Sequence, residues 1–149
     1  MSDNCLRLVP VDPKWRPPAE AAEKAVRILA KLLPAAEHVC TRSENGVVFY
    51  DAGANMESIS CPGCGSDLGD WWGDAMSEAF ASGFTDLTTL TPCCAAQTTL
   101  NDLNYVWPAA FGSFALEATN PGVSAFTDAQ RAALEEALGV PLKTVWQHL

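Results

Sequence analysis

Residues Cys5 to Val11 alternate between apolar and polar, with Leu6, Leu8 and Val9 set against Arg7, the period of a half-buried strand. Pro10, Pro13, Pro17 and Pro18 then punctuate a loop, and Pro18, with its fixed φ, suits the opening of a helix. From Ala19 to Leu33 the period changes to that of a helix. Ala22, Val26, Leu29 and Leu33 fall on one face, while Glu20–Lys24 and Glu23–Arg27 form i,i+4 pairs on the other. Pro34 ends it. His38 to Arg42 reads as a strand, Ser43-Glu44-Asn45-Gly46 as a tight hairpin turn, and Val47 to Tyr50 as the returning strand.

The last third repeats this plan. Phe114 to Thr119 predicts a strand that Asn120-Pro121-Gly122 breaks. Thr127-Asp128-Ala129-Gln130 has the form of a capping box, because the threonine hydroxyl and the glutamine side chain can each satisfy a free backbone N–H. A helix over Asp128 to Leu138 follows, with Leu134 and Leu138 inward and Gly139 stopping it. Val140 to Leu149 fits either state: Leu142, Val145, Trp146 and Leu149 share a helical face, whereas Thr144 and Val145 favour a strand. Strand, proline break, helix, strand at both ends predicts an α+β fold. The expected form is a ferredoxin-like pair of β-α-β units, one domain over residues 1–149 with an insert at about 58–108.

Within that insert, Leu68 to Ser82 carries a helix with two faces, ended by Gly83. Leu68, Trp72, Ala75, Met76, Ala79 and Phe80 fall on one side, and Asp67, Asp70, Asp74 and Glu78 on the other, with Trp71 at the edge of the acidic row. An amphipathic helix with a solvated face accounts for this pattern. Like charges four residues apart nevertheless repel by a few tenths of a kcal/mol per pair. The helix dipole offsets this for Asp67 and Asp70 but not for Asp74 and Glu78. Asp70, Trp71, Asp74 and Glu78 are therefore the candidate surface for a basic protein partner, tryptophan being enriched among binding hot spots.

Composition narrows the classes. A chain of 149 residues, 48% hydrophobic and 18% charged, can bury a core without covalent staples. Net charge is −9 with a pI near 4.5, so the surface repels phosphate backbones and attracts basic proteins, which makes nucleic acid an unexpected partner. The apolar runs are too short to span a bilayer. The start, Met-Ser-Asp-Asn, lacks a basic region followed by an apolar stretch, and the reading is cytoplasmic. In a reducing compartment, six clustered cysteines point to metal or redox chemistry and not to disulfides.

Ser60-Cys61-Pro62-Gly63-Cys64-Gly65 has the CPxCG form in which a sharp turn aims two sulfurs at one point, Gly65 tolerating the required φ. Thr91-Pro92-Cys93-Cys94 supplies a second pair after the helix. On these two segments the chain resembles the zinc-ribbon group, which implies one structural zinc ion held by Cys61, Cys64, Cys93 and Cys94. The second pair departs from CxxC, and adjacent cysteines reach one ion only if the backbone kinks. Cys5, Cys40 and His38 are the reserves; small buried side chains is the simpler account of the two thiols.

Rival chemistries fit less well. A thioredoxin-type pair needs a helix that begins at the first cysteine, and Gly65-Ser66 delays it here. A zinc deaminase needs His-x-Glu before Pro-Cys-x-x-Cys, which is absent, and four thiolates leave no position for water. Asp102 and Tyr105 are the remaining acid–base candidates, with capping and packing as the plainer account. The expected function is a non-catalytic protein-binding module, an acidic inhibitor or immunity protein or a regulatory subunit. An enzyme with a site not evident in the sequence and a nucleic-acid-associated zinc ribbon are the alternatives.

Overall fold

The computed structural model describes residues 3–148, so Met1, Ser2 and Leu149 lie outside it. The elements in order are β1 (Asn4–Pro10), α1 (Ala19–Leu32), β2 (His38–Tyr50), β3 (Ser58–Ser60), α2 (Gly69–Phe80), β4 (Thr88–Leu90), β5 (Gln97–Thr99), a 3-10 turn (Leu100–Asp102), β6 (Asn104–Val106), β7 (Ala110–Thr119), α3 (Asp128–Leu138) and β8 (Leu142–His148). The fold is mixed α+β. Its main sheet has the order β2-β7-β1-β8 with antiparallel pairing throughout. No helix among the described residues is long and apolar enough to cross a membrane.

Period-2 burial builds the main core. Leu6 and Leu8 of β1 and Phe114, Leu116 and Ala118 of β7 point to one sheet face, where they meet Ala25 and Leu29 of α1 and Leu134 and Leu138 of α3. The α3 capping box forms as its sequence predicts: the Thr127 N–H donates to Gln130 Oε1 at 2.8 Å and the Gln130 N–H to Thr127 Oγ1 at 3.1 Å. Gly139 closes the helix at φ +80, a left-handed conformation open to glycine at little cost. The ambiguous last segment is a strand, paired with β1 from Pro10↔Leu142 to Asn4↔His148. Tertiary pairing settles what its propensities leave open.

Two expectations fail. Ser43 to Gly46 is not a hairpin turn. β2 runs unbroken, Ser43 opposing Phe114 and Val48 opposing Gly112, so Glu44 to Val47 bulge opposite Ser113 alone. β7 begins at Ala110, earlier than its sequence suggests, and this continuous strand pairs with both halves of β2. Phe80 does not point inward from α2; it is 69% exposed and meets Phe84 edge-on at 5.6 Å.

The insert packs at the far end of β2 and β7. Its two-stranded pairs, β3–β6 and β4–β5, are three residues long in each strand. Ile59, Cys61, Leu68, Leu100, Leu103 and Tyr105 form a second core with Phe111 of β7, against which Phe49 of β2, Trp72 and Phe84 pack. Phe111 lies 4.8 Å from Phe49 and 5.2 Å from Phe84, centroid to centroid. Buried Asn101 fastens the insert to the sheet: its Nδ2 donates to the Val11 carbonyl at 3.1 Å, and its Oδ1 accepts from the Phe111 N–H at 2.9 Å and from Lys143 Nζ at 3.2 Å.

On the sheet face away from the helices, Glu117 sits between Arg7 at 3.2 Å and Arg42 at 3.3 Å, with Arg7 over the Tyr50 ring. Burial alone would raise the Glu117 carboxyl, but the two guanidiniums outweigh it and hold the group below its ordinary 4.5. A carboxyl whose folded value is lowered contributes its stability above pH 4.5 and loses it as pH falls through the folded value. Glu117→Gln should therefore flatten the acid limb of the stability–pH curve and cost about 3 kcal/mol at neutral pH, by leaving Arg7 without its counter-charge; urea titrations across pH measure both. Asn101→Ala should cost about 2–3 kcal/mol, since it strands the Phe111 N–H and the Val11 carbonyl. Hydrogen exchange at Phe111 should rise with that substitution before it rises in β1.

Candidate metal centre

Each cysteine pair sits on a small turn closed by its own hydrogen bonds. In the first, Ser60 bridges to Asp67, the Cys61 N–H donates to the Ser66 carbonyl and the Gly65 N–H to the Cys61 carbonyl, both at 2.9 Å. In the second, Leu90 pairs with Gln97, the Thr91 N–H donates to the Ala96 carbonyl at 3.1 Å and the Ala95 N–H to the Thr91 carbonyl at 2.9 Å. Gly65 and Ala95 take the same left-handed φ, +78 and +54. The two turns are therefore equivalent position by position. Thr91 matches Cys61, Pro92 matches Pro62, Cys93 matches Gly63 and Cys94 matches Cys64.

This equivalence explains the adjacent cysteines. Thr91 stands where the first turn has its leading ligand. Only 2% exposed, it accepts the Ala96 N–H at 3.1 Å and lies 3.5 Å from the Cys94 sulfur. Its place among the ligands is taken by Cys93 at the tip of the turn, where neighbouring side chains diverge less than in a strand. In the first turn that tip is tightly hemmed in: a Cβ on Gly63 would lie 3.1 Å from Ala96 Cβ and 3.4 Å from Cys94 Sγ, so the facing turn would have to give by a few tenths of an ångström. The Gly63 N–H instead donates to Cys61 Sγ at 3.3 Å.

The four sulfurs lie within 4.8 Å of one another. Cys64–Cys93 is 3.3 Å, Cys61–Cys94 3.7 Å and Cys93–Cys94 4.0 Å. A tetrahedron of thiolates with bonds of about 2.3 Å places its sulfurs about 3.8 Å apart, so the cluster can hold a metal ion. Cys61 is buried and roots the cluster in the second core; the other three are exposed. The thiols differ in acidity. The Thr91 hydroxyl and the Gly63 and Cys64 N–H groups outweigh burial and bring Cys61 down to about 6. Cys64 is lowered chiefly by Ser66, and Cys93 is pushed up to about 11 chiefly by its hydrogen bond to Cys64. Cys93 thus gives up a proton when a cation binds.

The reserve ligands stay in the main sheet. Cys5 and Cys40 flank Glu117, the Cys40 sulfur 3.9 Å from its carboxylate, and His38 pairs with Thr119. α2 starts beyond Cys64, at Gly69, whose N–H is taken by Asp67 Oδ1 at 2.7 Å. Asp102 and Tyr105 do not meet. Asp102 accepts from Thr99 at 2.7 Å, while the Tyr105 hydroxyl donates to the Leu100 carbonyl at 2.6 Å and accepts from Trp72 Nε1 at 3.2 Å. Burial pushes this phenol up to about 12.

Asp70, Asp74 and Glu78 are exposed on α2, and Trp71 is half-buried against the second core. Trp71, Asp74 and Glu78, though not Asp70, line a groove of about 470 Å³ with Asp86 and β4. Two hydrogen bonds from Thr88 hold the Asp86 carboxyl below the usual range, so it stays charged. Residues 58–108 hold six of the eighteen acidic residues and none of the nine Lys and Arg, a segregation legible in the sequence that net charge alone conceals. Compared with protein-family models, curated proteins and solved structures, the chain has no significant match.

Gly63→Ala should press the two turns apart and weaken metal binding by roughly 10–100-fold, the range typical of disturbed outer-shell partners. Competition against a chromophoric chelator measures this, and Gly73→Ala, at an ordinary helical position of α2 with open space at its Cβ, should do less.

Proposed function

We propose that the four thiolates bind one zinc ion as a structural centre, and that the chain is a non-catalytic protein-binding module for a basic partner. On this reading it is an inhibitor, an immunity protein or a regulatory subunit acting in the cytoplasm, where thiols stay reduced. The frame is a ferredoxin-like pair of β-α-β units: the sheet order β2-β7-β1-β8, with α1 and α3 on one face, supports it. Sulfur-only ligands favour zinc or thiolate-bound iron over harder cations, and the zinc-ribbon resemblance of the first turn favours zinc.

The charge distribution carries the binding role. Half-buried Trp71 offers a fixed aromatic surface beside Asp74, Glu78 and Asp86, in an insert free of any compensating Lys or Arg. A tetrathiolate zinc centre adds two further negative charges to that end. Such a field speeds encounter with a basic protein and suppresses acidic competitors. The Tyr105 hydroxyl, saturated by two partners, offers no support for acid–base catalysis, and the lack of basic residues offers none for nucleic acid.

Elemental analysis should return one zinc per chain, with no visible absorption from iron. Capture from a host lysate with wild-type protein and with Asp70→Ser/Asp74→Ser/Glu78→Ser should give the same zinc content but weaker, less salt-dependent retention of basic proteins by the triple variant. Unaltered retention would refute the proposed face.

A further inference from the structure

The groove beside α2 has a shape that an acidic row does not explain. Thr88, Thr89 and Leu90, every residue of β4, line it, and no residue of β5 does. Successive strand residues point to opposite faces, so a cavity over one face would be lined by alternate residues. Three in a row means that the groove follows the strand's edge. Among the described residues β4 pairs only with β5, so this edge is unpaired.

Hydrogen bonds determine which groups face outward. The Leu87 carbonyl accepts from the Leu100 N–H at 2.9 Å, and the Thr91 N–H donates to the Ala96 carbonyl at 3.1 Å. The alternation of an antiparallel ladder then turns Thr89 toward β5 and Thr88 and Leu90 away from it. Asp86 Oδ1 takes the Thr88 N–H; the Leu90 N–H and the Thr88 and Leu90 carbonyls face the groove. The opposite wall is α2, with Trp71, Ala75 and Ala79 one turn apart and Asp74 and Glu78 exposed beside them.

We infer that this groove takes an extended segment of a partner protein as a third strand on β4, a segment with Lys or Arg at alternate positions. Its backbone pairs with Leu90 and Thr88, its basic side chains meet Asp74, Glu78 and Asp86, and its intervening apolar side chains pack on Trp71, Ala75 and Ala79. The inference rests on the reading of the chain as a module for basic proteins and specifies how the partner is held. Charge complementarity selects this occupant over a second copy of the chain, whose β4 edge brings the same three carboxylates.

The probe is a blocked hexapeptide of alternating Lys and Val, compared with the same peptide N-methylated at its valines, which keeps the charge but removes three N–H donors. It is titrated into the isotope-labelled full chain with its metal bound. The amides of Thr88 to Leu90 and of α2 should shift, and N-methylation should weaken binding by roughly tenfold or more. Leu90→Pro should weaken the unmethylated peptide similarly, because proline removes an edge-facing N–H and spares the pairing with β5. Equal binding of both peptides, with shifts confined to α2, overturns strand addition and leaves the acidic face standing. No shift with either peptide also overturns it, and retention by the triple variant then decides the fate of the acidic face separately. Concentration-dependent self-association with β4 amides broadened would put a second copy in the groove and equally overturn the inference.

Discussion

The insert depends on aromatic contact with a sheet that it interrupts. α2 contains no fully buried residue, and strand pairs of three residues bury too little to stand alone. What gives these pieces an interior is Phe49 and Phe111, projecting from β2 and β7 into the space between Ile59, Leu100, Leu103 and Tyr105. Phe111 is fully buried although it belongs to the main sheet, and its backbone N–H is held by Asn101 from the insert side. One residue of the main sheet therefore holds the insert through both its ring and its amide. Chain that leaves the sheet after Tyr50 and returns at Ala110 is folded against the strand ends that bound it.

The cysteine turns complete this arrangement from the other side. Cys61 is buried in the same core as Phe111, so the first turn is positioned by apolar contact before any cation arrives. The second turn stands at the end of β4 and β5 with its cysteines exposed, and the buried hydroxyl of Thr91 closes it on itself. A cation that joined the four sulfurs would tie the exposed turn to the rooted one. Under the zinc reading, the metal fixes the spacing of α2 and β4 and hence the width of the groove between them.

Local signals and long-range ones were unequally legible. The capping box of Thr127 and Gln130 and the stop at Gly139 needed only neighbouring residues, and they formed as read. The four cysteines were legible because CPxCG encodes its own turn, and the sulfurs do converge. The Ser43 to Gly46 segment has turn residues too, but a hairpin also needs a separate partner strand. Here β7 was long enough to pair with both halves, and the turn became a bulge. Phe80 follows the helical period inward on paper, yet α2 meets the core along Trp72, Met76 and Ala79, and Phe80 is left with only the edge-on contact of Phe84. Glu117 gave no signal, and Asn101 only that of a capping residue. Each is a polar residue whose partners lie on other elements, Arg7 and Arg42 for one, Val11, Phe111 and Lys143 for the other.

Charge and architecture converge on the same end of the molecule. The acidic side chains along α2 repel one another, a cost to folding that buried apolar area must offset. Glu117 illustrates the alternative, for where this chain buries a carboxylate it supplies two guanidiniums. The row on α2 receives none, although α1 and its approach carry five of the nine basic residues within Lys14 to Lys31. An uncompensated row persists most naturally where the compensating charge comes from another molecule. On the proposed reading that molecule supplies its basic side chains along β4, the strand edge that the fold leaves open.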